Sequence, residues 1–184
     1  MIITVDYGKI TIPTGTTLNK AISSAINKTI VTAKKEMSAG VRKVYNIKKK
    51  DLDSKITVKK ASQSNTESII TIRSKPIGLI HFNATASKAF DKGQKRYFKT
   101  SAKVMKNSRK KVYKGAFIGR AKNSKSYQVF RRTTNKRLPI VKMSVYTPTT
   151  MVKKEGKDDF FRVMERDFND KFNHELKFYI GKQK

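Results

Sequence analysis

Residues 16–45 read TTLNKAISSAINKTIVTAKKEMSAGVRKVY and residues 55–82 read KITVKKASQSNTESIITIRSKPIGLIHF; the change of period between them decides the fold. In the first stretch Leu18, Ala21, Ile22, Ala25, Ile26, Thr29, Ile30, Ala33 and Met37 recur at helical spacing, with Lys20, Asn27, Lys28 and Lys34 off the stripe. Thr16 or Thr17 is placed to cap this helix, and the small Ala21, Ala25 and Ala33 let a sheet or a second helix approach closely. Gly40 ends or weakens it, unless Val41, Val44 and Tyr45 continue the stripe. In the second stretch the apolar residues fall into short β-branched or aromatic runs, at Ile56 and Val58, at Ile70 and Ile72, and from Ile77 to Phe82. Ser, Asn and Pro separate these runs, which is the pattern of strands joined by loops.

Outward from there, the charged NIKKKDLDS of residues 46–54 reads as a polar turn or short helix anchored by Ile47 and Leu52. Further strands are expected at 101–106, 110–117, 127–132 and 140–146. Residues 84–99 and 121–126 carry few apolar anchors and read as mobile loops. From Asp158 the helical period returns through Phe161, Met164, Phe168, Phe172, Leu176 and Ile180, with Asp158 and Asp159 at the positive end of the helix dipole. At the start, Ile3, Val5 and Tyr7, then Ile10 and Ile12, alternate around Gly8 as a short hairpin closed by Pro13.

The expected fold is α+β. A mostly antiparallel β-sheet or partly open barrel is packed by an N-terminal and a C-terminal amphipathic helix. A single domain spans 1–184, with the hairpin at 2–12, a helix at about 16–45, the sheet at about 55–147 and the last helix at about 158–181.

Charge narrows the partners. The 184 residues carry 43 Lys and Arg against 13 Asp and Glu, a formal net charge of +30. Such a chain repels itself unless phosphates, acidic surfaces or counterions lie close. The absence of cysteine removes disulfides, thiolate metal sites and cysteine nucleophiles together. No segment approaches the roughly 18 apolar residues of a membrane-spanning helix, and the opening MIITVDYGK lacks a leader pattern, so the chain reads as soluble and unprocessed.

Catalytic constellations are thin. His81 and His174 are the only histidines, and the nearby carboxylates follow no metal-ligand spacing. His81 is expected in a strand, pointing away from Ile80 and Phe82, and His174 on the polar side of the last helix. Asp51 with Asp53 and Asp158 with Asp159 read as a turn and a helix start rather than an acid and a base. Gly115 and Gly119 are not followed by the Lys-Ser or Lys-Thr of a phosphate loop. The chain is therefore expected not to be an enzyme and to need no cofactor or metal.

The remaining chemistry is basic. Arg109, Lys110, Lys111, Arg131 and Arg132 are the candidate DNA-facing residues, because each group places several donors in one loop or strand end. Arginines beside Tyr127 and Phe130 add planar guanidinium groups suited to bidentate contacts. A lysine-rich solvated surface is the plain alternative, and no established nucleic-acid motif frames these residues. Phe168, Phe172 and Leu176 are either core or a subunit interface.

One ordered set of motifs goes further. The Ala-rich helix running into VRKVYNIKKKDLDSKITVKKAS, then PIGLIHF, KGAFIGR, VFRRTTNKRLPIVKMSVYTPTTMV and a charged terminal helix resembles the minor tail protein Z family of tailed phages and prophages. The resemblance begins at about Thr16. It departs at the N-terminal hairpin, in its excess of lysine, and at Thr147-Pro148-Thr149, where the family more often has Gly-Pro-Ser.

The resemblance implies a structural virion protein of the tail, assembled in the host cytoplasm, that acts in tail completion at the head-proximal end. It implies head–tail joining and positioning of the DNA end for ejection. Its partners would be other tail and head–tail connector proteins, copies of itself in a six-membered ring by analogy, and genomic DNA, with no membrane. The alternative reading is a sequence-independent nucleic-acid-binding protein of a mobile element.

Overall fold

The computed structural model describes residues 15–86, 96–97, 100–120, 126–136 and 138–182. The hairpin expected at 2–12 and most of the two expected loops lie outside these residues. The chain divides into two compact units.

The first unit contains Met1–Gly40, Ile56–Ile72 and Val152–Lys184. Its frame is α1 (Gly15–Val44, of which the residues to Gly40 belong here) and the C-terminal helix Lys157–Gly181. The apolar stripe read from the sequence is the one that packs. Ala21 and Ala25 meet Phe168, Phe172 and Leu176 in one cluster, and Ala33 meets Val163 and Met164 in another. The alanines leave room that the aromatic rings fill, and Phe168 and Phe172 stack with centroids 6.1 Å apart. Buried Thr29 returns its hydroxyl proton to the Ala25 carbonyl at 2.8 Å, so it costs the core no unpaired donor.

Two polar contacts fasten the rest of the unit to α1. The Asn27 amide donates to the Ala61 carbonyl at 2.9 Å and accepts from the Ala61 N–H at 2.8 Å, and Lys34 donates to the Ile56 carbonyl at 2.7 Å. Both side chains lie off the apolar stripe. They hold the hairpin of β1 (Ile56–Lys59) and β2 (Ile69–Ile72), paired in antiparallel register from Ile56 with Ile72 to Lys59 with Ile69.

Gly40 does not end α1. The helix runs on to Val44, and a Cβ at position 40 would stand 2.6 Å from the Glu155 carbonyl oxygen and closer still to the Asp159 carboxylate. Close approach is thus the reason for glycine here, and the backbone conformation is an ordinary helical one. Glu175 is the other special position, a carboxylate only 3% exposed. It accepts from the Lys28 ammonium and from the Ser24 hydroxyl, the latter at 2.7 Å. Burial alone pushes its carboxyl up, but the hydrogen bonds from Lys28 and Ser24 outweigh burial and hold it below its ordinary value.

The second unit contains Val41–Lys55 and Arg73–Met151. A short helix α2 (Lys49–Asp53) realises the polar segment read from the sequence, with Leu52 buried as its anchor. The strands that follow are β3 (Arg96–Tyr97), β4 (Ser101–Ala102), β5 (Lys111–Val112), β6 (Ala116–Gly119), β7 (Gln128–Arg132) and β8 (Ile140–Lys142). They form a four-stranded antiparallel sheet in the order β3-β6-β7-β8 and a two-stranded β4-β5 pair. The expected antiparallel sheet is therefore present in small pieces, and the described strands close no barrel. Leu79, Ala102, Ala116, Ile118 and Val129 make its core. All four residues of β6 are buried, which suits a strand covered on both faces.

Three local expectations change. The strand expected at 77–82 becomes a 3-10 turn at Leu79–His81, preceded by an extended Ile77 that exchanges backbone hydrogen bonds with Val145 and Tyr146. The strand expected at 110–117 breaks into β5 and β6 at Gly115, whose φ of +71° an L residue adopts only at a cost. Residues 84–86 and 96–97 are not free loop: Thr85 exchanges two hydrogen bonds of 2.8 Å with Ser101, and 96–97 is β3.

A helix that the apolar period missed, α3 (Pro148–Glu155), precedes the terminal helix, hereafter α4 (Lys157–Gly181). Its local signal is Thr-Pro. The Thr147 hydroxyl accepts the Thr150 N–H at 3.1 Å, and proline follows at the first helical position, where no N–H is needed.

Two outcomes follow in urea-unfolding measurements. Gly40→Ala lowers stability by about 1–2 kcal/mol despite alanine's better helix propensity, because a backbone carbonyl must move; Gly15→Ala, with nothing within 4 Å, stays near wild type. Glu175 has a folded-state pKa below its unfolded one, so its contribution is complete above the ordinary value of 4.5 and is lost as pH falls through the lower folded value. Glu175→Gln is expected to cost about 1 kcal/mol at neutral pH, since Lys28 is partly solvated, and to flatten the acid limb of the stability curve.

Candidate polyanion-binding cleft

The cations are not spread evenly along the fold. The second unit holds 27 of the 43 Lys and Arg and only 3 of the 13 Asp and Glu, whereas the first holds 16 and 10. Between Arg73 and Met151 the single carboxylate is Asp91.

Within that unit a cleft of about 750 Å³ opens between the turn at Tyr113–Gly115 and the end of β7 with the residues that follow it. Lys114, Arg131 and Arg132 line it together with Phe117, and among the described residues no carboxylate does. The antiparallel ladder sets Arg131 opposite Ala116 and Val141, and Arg132 opposite Ile140. Arg131 is exposed. Arg132 is half-buried, its guanidinium lies 6.0 Å from the centroid of the Phe117 ring, and its buried Nε has no hydrogen-bond partner among the described residues. A planar cation held over a ring is suited to an incoming phosphate or carboxylate oxygen. Tyr113 stays protonated at neutral pH, its phenol pushed up first by burial and then by Tyr146.

The five residues expected to face DNA separate here. Arg131 and Arg132 share the cleft. Lys111 lies on β5 beside it, its ammonium 5.9 Å from the Tyr113 ring centroid, next to the lining residue Val112. Arg109 and Lys110 are exposed but do not line the cleft, and Lys110 donates to the Thr85 hydroxyl. Lys114 was not expected. Its signal in the sequence is a lysine directly before the glycine of a turn, and the residue is exposed.

Phe168, Phe172 and Leu176 are buried within the first unit against α1, so the core alternative accounts for them and their side chains offer no area to a partner. His81 sits in the 3-10 turn and not in a strand; its Nδ1 lies 3.0 Å from Asp51 Oδ2, beside a second, polar cleft of about 710 Å³. His174 is exposed on α4, with Nδ1 3.4 Å from Glu175. Among the described residues no three His, Asp or Glu side chains converge as metal ligands, and no helix is long and apolar enough to cross a membrane.

The family model of prophage minor tail protein Z matches residues 14–182. The chain belongs to the minor tail protein Z family. The match takes in all four helices and every described strand, and it leaves out the first thirteen residues, where the alternating hairpin was read. No curated protein and no solved structure matches the chain. As a minor tail protein Z family member it is a structural protein of the phage tail, which locates it in the virion tail.

The two cleft arginines differ in what they do for the fold. Arg131→Ala is expected to leave the unfolding midpoint within about 0.5 kcal/mol of wild type. Arg132→Ala loses about 1 kcal/mol through its stem packing and its contact with Phe117, read by the same denaturation measurement.

Proposed function

We propose that this minor tail protein Z completes the tail at its head-proximal end, joins tail to head and bears on the end of the genome through the cation-lined cleft. The observation that carries the proposal is the concentration of 27 cations against 3 carboxylates in one unit, with Lys114, Arg131 and Arg132 among the residues of a cleft that no described carboxylate lines. A merely compositional excess of lysine would dilute itself over both units. Copies arranged as a ring would bring these units together around a channel, and six copies would carry about 180 formal positive charges, which DNA or acidic tail proteins would have to compensate.

A second reading, a free nucleic-acid-binding protein of a mobile element, uses the same cations without the tail. The two separate in complementation of a phage lacking the protein. Under the first reading, an Arg131→Ala, Lys114→Ala double variant gives complete tails that fail to join heads or to eject DNA; normal particle yield and infectivity would sink it. In solution the same double variant is expected to bind duplex DNA more weakly and to the same extent for every sequence. Its log affinity against log salt is expected to be shallower by about 2, one for each phosphate contact removed. An unchanged slope removes the cleft from the DNA-facing surface.

A further inference from the structure

The four-stranded sheet ends on β8, and among the described residues Ile140–Lys142 pair only with β7. Ile140 is 39% and Val141 46% exposed, and Leu138, two residues earlier, is 64% exposed. Successive residues of a strand point to opposite faces, so this edge leaves an aliphatic side chain uncovered on each. Edge strands are ordinarily blunted by charge, proline or a covering segment. Immediately beyond β8 the chain supplies such cover itself. Leu79 donates to the Met143 carbonyl at 2.9 Å, and Val145 and Ile77 donate to the carbonyls of Ile77 and Tyr146 at 3.0 Å each. The segment 77–79 therefore lies as an extended antiparallel neighbour along 143–146, and that cover stops where β8 begins.

Charge selects what completes the edge. Directly opposite Val141 on β7 is Arg131, and directly opposite Ile140 is Arg132, so each exposed aliphatic has a guanidinium on its own face; Lys142 ends the strand. A second copy of the chain would bring the same cations to the same ladder, where strands lie about 4.8 Å apart, well inside the screening length of about 8 Å at physiological salt. We infer that the outer edge of β8 accepts an extended segment of a partner protein in which aliphatic residues alternate with Asp or Glu. Its backbone pairs with Ile140–Lys142, its aliphatic side chains cover Leu138, Ile140 and Val141, and its carboxylates meet Arg131, Arg132 and Lys142. This inference stands on the sheet and its charges and does not depend on the tail-completion reading.

The test uses the full chain and a fluorescein-labelled octapeptide of alternating valine and glutamate, read by anisotropy at about 150 mM salt. A peptide with proline in place of each valine keeps the charge and cannot form a strand. The expected results are binding of the valine peptide at least about tenfold tighter than the proline peptide, slowed amide exchange at residues 140–142, and about tenfold weaker binding by Val141→Asn, which removes the aliphatic cover and leaves the charge unchanged. Val141 is exposed enough that this variant keeps its unfolding midpoint, and Ile140→Asn provides a second one. Equal binding of the two peptides, equal binding of an alternating valine and lysine peptide, or full affinity in both variants would overturn the inference. So would sedimentation showing that the free chain dimerises through this edge and that Val141→Asn abolishes the dimer.

Discussion

Like-charge repulsion is the constraint on which the rest of the second unit depends. With 27 cations and 3 carboxylates, almost no lysine or arginine between Arg73 and Met151 finds a carboxylate nearby in sequence. Each pair about 10 Å apart costs only about 0.4 kcal/mol in water, and salt screens it further, but the pairs are many. The unit answers by spending its cations at the surface and keeping small and β-branched residues inside. Ala102, Ala116, Ile118 and Val129 form a thin core that brings strands close without bringing ammonium groups inward. Where a cation is partly enclosed, as at Arg132, an aromatic ring takes the place of a carboxylate.

The first unit is built under the opposite condition. Acidic residues recur along α4, and Glu175 is buried against Lys28 and Ser24 of α1, so electrostatics there support the apolar interface. The interface itself is larger than any of its polar contacts. Truncating a ring such as that of Phe172 to alanine costs about 3–5 kcal/mol, against about 1 kcal/mol for a partly solvated ion pair. Glu175 thus adds polar contacts to an interface whose energy comes mainly from Phe168, Phe172 and Leu176.

The sequence was most legible where one period ran long. The stripe from Leu18 to Met37 and the run from Phe161 to Ile180 lie inside α1 and α4, because a long amphipathic face leaves little choice of partner, although the stripe left open whether α1 stops at Gly40. Short segments were less legible, for local reasons. Pro76 precedes and Gly78 interrupts an apolar run that looks like a strand, but the chain turns at Leu79–His81 once Ile77 has made its ladder bonds. Helix α3 is signalled by a cap and a proline and not by a period, so a search for apolar spacing passes over it. Of the cleft, the arginines were visible and their shared wall was not. Arg131 and Lys114 are seventeen positions apart, and only the register of β6 on β7 brings the two stretches together.

The same register couples stability to ligand. The cations that repel one another in the free chain are the ones an anion would neutralise, so any polyanion bound to the folded unit removes a cost of folding as well as forming contacts. Binding to the native state alone adds RT ln(1 + [L]/Kd), about 2.7 kcal/mol at a hundredfold excess over Kd. For a thin sheet core that is a large share of the stability a small domain has to spare. A bound phosphate or carboxylate partner would therefore stabilise the basic unit. Its charge acts on the fold and on the choice of partner through one and the same interaction.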